Sequence, residues 1–217
     1  MLEAVIFDMD GVIVDSHPVH KKAWRKFLES QNRYVSDEDL NFIMEGRRRE
    51  EILRHFLGEV SDEELRNLGR QKEQIFREEA DDVKPIEGLC DFLQKLSQAG
   101  IRLAVASSGS GRRVNDILNS LSLRRYFQAV VTGDQVSQGK PDPAIFRLAC
   151  ERVAVQPSEA LVFEDSVSGV RAAKSAGMRC IGVANNGVIP ILLQAGADHI
   201  ISDFSGITFD ELRSMFH

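Results

Sequence analysis

The chain has 217 residues, a formal net charge of −6 and 43% hydrophobic residues, enough for one sizeable core with a smaller one beside it. Its only run of three arginines, Arg47-Arg48-Arg49, is too short for a nucleic-acid footprint, and a net-negative surface does not favour anionic membranes. No stretch is long enough to span a bilayer, the N-terminus lacks the basic region of a signal peptide, and Cys90, Cys150 and Cys180 lie far apart without C-x-x-C spacing, so a reducing, cytoplasmic setting is expected, with no obligate protein partner implied.

Residues 3–8, EAVIFD, form a continuous apolar run ending on a carboxylate. From about 15 to 84 no strand pattern follows. That stretch holds helix patterns, with Ser36 and Ser61 each preceding acidic residues as N-terminal caps do. Residues 81–88, DDVKPIEG, read as a return linker. Leu89, Phe92, Leu93 and Leu96 then repeat at helical spacing, with Gly100 placed to stop the helix. Further apolar runs lie at 102–107, 129–133, 160–165, 180–184 and 199–202, separated by the helical periods Val114, Ile117, Leu118, Leu121; Ile145, Leu148, Ala149; and Val170, Ala173, Lys174 before Gly177. Continuous runs alternating with amphipathic helices predict a doubly wound α/β fold with a mostly parallel sheet. The early block is then an inserted all-helical cap. The expected division is a core of residues 1–14 and 85–217 and a cap of residues 15–84.

Ligands in open α/β sheets bind beyond the carboxyl ends of the strands. Those ends carry Asp8 and Asp10, then Ser107, Ser108 and Gly109, then Lys140 in the loop after the third strand, then Glu164 and Asp165. Carboxylates gathered at one point repel and raise one another's pKa. A divalent cation removes that cost, and a hard all-oxygen donor set without a His/Cys cluster suits Mg²⁺ rather than zinc. A metal, several acids and a lysine make a site for phosphoryl chemistry. Lys140 can hold the phosphoryl oxygens, Ser107 offers a hydroxyl, and Ser108 and Gly109 offer backbone N–H groups. Residues two apart on an extended chain point the same way. Of Asp8 and Asp10, one carboxylate can therefore attack phosphorus while the other handles the proton, with Gly11 letting the backbone turn just after.

A lone D-x-D-G also occurs in turns and calcium loops. Here DMDGV, ASSGS, GKPDP and FEDSVSGV follow one another in order, and in this the chain resembles the haloacid dehalogenase superfamily of phosphotransferases. The place of its insert resembles the helical cap of the group that holds β-phosphoglucomutases and many sugar-phosphate phosphatases. The likeness spans nearly the whole chain. It implies Asp8 as nucleophile and Asp10 as general acid/base. It further implies Asp8, the Asp10 backbone carbonyl and Asp165 as Mg²⁺ ligands, with Glu164 direct or through water, and Ser107 and Lys140 on the phosphate. In the cap, His20, Trp24, Gly46, Arg49 and Lys72 stand where similar residues stand in β-phosphoglucomutases. By their own local patterns His20 fits a buried structural histidine, Arg49 a solvated helix start and Lys72 an exposed helix lysine.

The chain departs from the mutase pattern at three places. Arg47-Arg48 precede Arg49 where mutases typically have Val-Ser, Gly111 replaces an Asn, and Val167-Ser168-Gly169 replaces Gln-Ala-Gly. The expectation is therefore a Mg²⁺-dependent phosphatase of a small phosphorylated metabolite, a sugar phosphate, with β-phosphoglucomutase as the alternative. A phospho-accepting receiver domain would need neither the roughly seventy-residue roof nor a second acid at Asp10.

Overall fold

The structure, a computed structural model, describes residues 1–44, 47–80, 83–184 and 187–216. Six parallel strands form one sheet: β1 (Ala4–Phe7), β2 (Arg102–Ser107), β3 (Ala129–Thr132), β4 (Ala160–Glu164), β5 (Arg179–Val183) and β6 (His199–Ile201). Their order across the sheet is β3-β2-β1-β4-β5-β6. The chain thus winds outward from β1 in one direction and then resumes at β4 on the other side of β1. The strand order reverses between β1 and β4, where open α/β sheets form their ligand crevice. Every strand expected from the sequence is present, within a residue or two at its ends.

The two faces of the sheet are filled differently. Alternate residues of a strand point to opposite sides. One face carries Val5, Phe7, Leu103, Val105, Leu161 and Phe163; the other carries Ala4, Ile6, Ala104, Ala106, Ala160 and Val162. Phe7 and Phe163 are register partners and stack at 5.3 Å, with Phe92 and Phe204 packed around them. The first face is covered by α5 (Leu89–Gln98) and α6 (Gly111–Ser120). The second takes α7 (Ala144–Arg152), α8 (Val167–Ser175) and α9 (Ile189–Ala195), whose Ala149, Ala172 and Ala173 lie fully buried against it. The short α10 (Phe209–Ser214) closes the chain.

Between β1 and α5 the described residues form four helices: α1 (His17–Ser30), α2 (Asp37–Ile43), α3 (Arg49–Leu57) and α4 (Asp62–Glu79). Ser36 and Ser61 cap α2 and α4 through reciprocal capping boxes with Asp39 and Glu64, satisfying backbone N–H groups a helix start otherwise leaves unpaired. These helices have a hydrophobic cluster of their own, built on Trp24, Phe27, Leu28, Leu40, Ile43, Ile52, Leu53 and Leu65. Ala23 and Phe76 pack instead into the main core. The two connecting strands run side by side, with Asp15 donating to the Lys84 carbonyl and Ile86 to that of Ile13, both at 3.0 Å. Among the described residues no helix is long and apolar enough to cross a membrane.

Candidate active site

Asp8 follows β1 directly, and its backbone N–H donates to the Phe163 carbonyl of β4 at 3.0 Å. The chain turns there. The Asp10 N–H donates back to Asp8 Oδ2 at 3.0 Å, and Gly11 adopts φ +76°, a region costly for any residue with a Cβ. A Cβ on Gly11 would also lie 2.2 Å from Asp165 Oδ2. Glycine is required twice over, and the turn brings the first and fourth strand ends together.

Lys140 is the pivot of that junction. It is 2% exposed, and its Nζ donates to Asp8 Oδ1 and Glu164 Oε1, both at 2.5 Å, and to the Ala106 carbonyl at 3.2 Å. Burial works against its ammonium, but Asp8 and Glu164 outweigh it and lift its pKa above the ordinary lysine range. Glu164 Oε2 accepts from the Ser166 N–H at 2.7 Å and hydroxyl at 2.9 Å. Gly169 lets α8 approach this carboxylate, since a Cβ there would stand 1.8 Å from Glu164 Oε1.

Asp8, Glu164 and Asp165 each present a carboxylate oxygen within 4.8 Å of the others, a spacing that can hold a metal ion. The donors are all hard oxygens, which fits a cation of the Mg²⁺ type. The site's electrostatics agree. Burial, with Glu164, Asp165 and Asp10 adding to it, pushes Asp8 up to about 8 despite Lys140. Burial likewise raises Asp165, with His17 opposing. Such a cluster is short of positive charge. His17, at the start of α1, holds Asp165 Oδ2 at 2.9 Å.

The Asp10 side chain stands apart from that trio. Its Oδ1 accepts from Ser16 Oγ at 2.5 Å and lies 3.1 Å from His20 Nε2. Arg113, from the first turn of α6, grips both oxygens, at 2.8 and 2.7 Å. Burial would raise the Asp10 pKa; Arg113 and His20 together hold it well below the usual carboxylate range. Burial and Lys72 depress His20 to about 3, so its ring is neutral. Its Nδ1 lies 3.0 Å from Lys72 Nζ, and its Nε2 lies 3.1 Å from both Asp10 Oδ1 and the Arg113 guanidinium.

Lys72 is not the exposed helix lysine its local pattern suggested. It is 3% exposed, with its ammonium 5.0 Å from both the Trp24 and Phe76 ring centres, and burial with the nearby Arg113 lowers it to about 7. Tertiary packing of α4 on α1 overrides what the surface-like sequence RQKEQ implied. Arg49 lines the pocket from α3, 2.9 Å from Glu50 and 3.9 Å from Glu73. Ser108 and Gly109 line the pocket floor. Ser107 is 1% exposed, and its hydroxyl accepts the Gly109 N–H at 3.1 Å. Gly46 lies outside the described residues.

Asp8, Lys140, Glu164 and Asp165 thus meet at one point, Asp10 stands beside them, and His20, Trp24, Arg49 and Lys72 form the roof. The sequence reasoning missed Arg48 and Arg113. Arg48 donates from the cap to three core carbonyls, Ser137 at 2.9 Å, Gly133 at 2.9 Å and Val136 at 3.3 Å. Arg113 carried a legible signal: it lies four residues before Ile117, on the apolar stripe of α6, where a charged side chain needs a buried partner.

A doubly wound sheet with acids and a lysine at its strand ends, roofed by helices inserted after the first strand, is the architecture of a capped hydrolase with a Rossmann-like core. The chain belongs to the haloacid dehalogenase-like hydrolase family, whose sequence profile matches residues 5–183, and within it to the β-phosphoglucomutase/CbbY-like group with a helical cap. It is 39% identical over 212 residues to the phosphorylated carbohydrates phosphatase of Thermotoga maritima, covering 90% of this chain and 92% of that one. It is 32% identical over 221 residues to the β-phosphoglucomutase of Bacillus subtilis, covering 98% and 94%. Among solved structures, CbbY from Rhodobacter sphaeroides in complex with phosphate superimposes with a TM-score of 0.82 at 28% identity, covering 95% of this chain and 96% of that one.

Proposed function

We propose that this chain is a Mg²⁺-dependent phosphatase of a small phosphorylated sugar, working through a phosphorylated Asp8. The observation that carries the reading is the junction at the strand ends: Asp8, Glu164 and Asp165 converge, with Lys140 bridging two of them, beneath a roof of basic and aromatic side chains. Asp8, Glu164 and Asp165 would hold Mg²⁺, which when bound supplies positive charge against the carboxylates and the phosphoryl oxygens.

The chain's own residues then divide the work. An Asp8 oxygen attacks phosphorus, and the bond from phosphorus to the leaving oxygen breaks. Asp10, whose carboxylate Arg113 and His20 otherwise keep ionised, enters this step carrying a proton and gives it to that oxygen; the second step returns one. In the second step Asp10 takes a proton from water as water attacks phosphorus, and the bond to Asp8 breaks. Lys140 stays against Asp8 and stabilises charge on the transferring group. The Ser107 hydroxyl accepts the Gly109 N–H and keeps its own proton to donate to a phosphate oxygen, with Ser108 beside it in the pocket floor.

The Bacillus subtilis relative favours a second reading, transfer of the phosphoryl group to another hydroxyl of a sugar phosphate. In a mutase a roof arginine must grip the distal phosphate. Here Arg49 lies 2.9 Å from Glu50 and 3.9 Å from Glu73, with its buried Nε left without a hydrogen-bond partner among the described residues, so Arg49 serves either reading; the departures from the mutase pattern at Arg47-Arg48, Gly111 and Val167-Ser168-Gly169 support the phosphatase. The experiment supplies β-glucose 1-phosphate with a trace of glucose 1,6-bisphosphate, and separately a panel of sugar phosphates. Free phosphate from the panel, lost in Asp8→Asn, is the expected result. Glucose 6-phosphate formed without matching inorganic phosphate would establish the mutase instead.

A further inference from the structure

Arg113 is a buried arginine that no catalytic role assigned so far uses. Its side chain is 6% exposed, and its guanidinium fork meets both oxygens of Asp10. Bidentate pairing of this kind fixes direction as well as distance, because the planar fork admits one relative orientation of the carboxylate. Three further contacts fix the fork itself. Its Nε lies 3.7 Å from Glu73 Oε1 on α4, its plane sits 5.2 Å from the Phe76 ring centre on the same helix, and a Cβ on Gly109 would lie 2.2 Å from its terminal nitrogen. Arg113 therefore stands between the phosphate-facing loop, the cap and Asp10, and touches all three.

We infer that Arg113 is the positioning residue for Asp10, holding that carboxylate in register with the phosphoryl-transfer site, and that the cap completes its seat. Ser16 and His20 reach only Oδ1 of Asp10. Arg113 reaches Oδ2 as well, so losing it removes the two-point grip that fixes the carboxylate's last torsion. His20, Glu73 and Phe76 all come from the cap helices. Docking of the cap against α6 thus both assembles the fork and aims the acid, and an undocked cap leaves Asp10 with the fork unsupported. The cost of losing the fork is one of alignment: a misplacement of about 1 Å at a reacting group can cost on the order of 10²-fold in rate.

The inference rests on Asp10 as the proton-handling group, and the test separates the two. Initial rates, KM and acid-quenched phosphoenzyme are measured with p-nitrophenyl phosphate and with fructose 6-phosphate for wild type, Arg113→Met, Arg113→Lys, Asp10→Asn and the Asp10→Asn/Arg113→Met double variant. p-Nitrophenolate leaves without a proton, so its phosphoenzyme forms readily whereas its hydrolysis still needs an aimed Asp10.

Arg113→Met is expected to lower kcat by on the order of 10²-fold with KM within about threefold, and to accumulate phosphoenzyme from p-nitrophenyl phosphate. Arg113→Lys, which keeps the charge but loses the fork, should recover part of that loss. In the Asp10→Asn background the Arg113 substitution should change the rate by less than about twofold, since the two act as one unit. If the two losses multiply instead, or if Arg113→Met raises KM with kcat intact, the positioning role is wrong. If Asp10→Asn itself keeps the wild-type rate, the reading of Asp10 fails. Should Arg113→Met not fold, the Arg113→Lys pair of variants carries the same cycle.

Discussion

The floor and the roof of the pocket are built on opposite plans. The floor, at the ends of β1 and β4, is acidic and sits on strands whose residues are almost wholly buried. Its geometry is set by backbone register, with Phe7 and Phe163 side by side and the acids immediately beyond them. The roof is basic and rests on helix surfaces, where Arg49, Lys72 and His20 owe their places to the packing of α1, α3 and α4 on one another. In the proposed reaction the floor carries the chemistry on the phosphoryl group. In the same proposal the roof selects what is attached to that group. A rigid reaction centre under a separately packed selector lets one change without disturbing the other.

That contrast can be broken most sharply at the floor. Asp8→Asn should abolish turnover and acid-stable phosphoenzyme together; a variant that keeps either would remove the nucleophile. Asp10→Asn should slow phosphate release by ~10²–10⁴, the usual scale of general acid–base catalysis, measured as steady-state rate at saturating substrate. Lys140→Met strips the ammonium from two buried carboxylates, and breaking a buried pair in this way costs on the order of 3–5 kcal/mol. Urea unfolding should show that loss without divalent cation and a smaller one with Mg²⁺, since the cation replaces missing positive charge. An equal loss in both conditions would count against metal binding at Asp8, Glu164 and Asp165.

At the roof the expected effects are smaller. Arg48→Ala removes three hydrogen bonds to core carbonyls that water can replace when the cap lifts, so a cost of about 1 kcal/mol is expected, seen as faster proteolytic cleavage near the two linkers and a few-fold change in KM. Lys72 offers a pH test. It faces His20, Arg113, Arg49, Glu73 and Asp10, and its pKa falls from 10.5 to about 7 in the folded protein. Between those values the unfolded chain binds more protons than the folded one, so stability should rise with pH from about 7 towards 10.5. Lys72→Met should flatten that rise; an unchanged slope would mean that Lys72 titrates normally.

The floor was legible in the sequence because strand runs are short, continuous and end on the functional residues themselves. Four motifs at four strand ends leave little freedom once the sheet is parallel. The capping signals at Ser36 and Ser61 were legible for the same reason, being local. The roof was less so. RQKEQ reads as surface, yet Lys72 is buried, because which face of α4 meets α1 is decided by tertiary packing. Arg113, the second arginine of GRRVNDIL, reaches a carboxylate 103 positions away. Long side chains that cross between domains leave only a faint mark, a charge sitting on an apolar stripe.

Across the seam Arg48 donates to main-chain oxygens, those of Gly133, Val136 and Ser137. Every amino acid carries a carbonyl, so the side chains along 133–137 are not what Arg48 recognises. A substitution at Asp134, which lines the pocket within that strip, gives up its bond to the Gly111 N–H but leaves the three bonds of the seam in place.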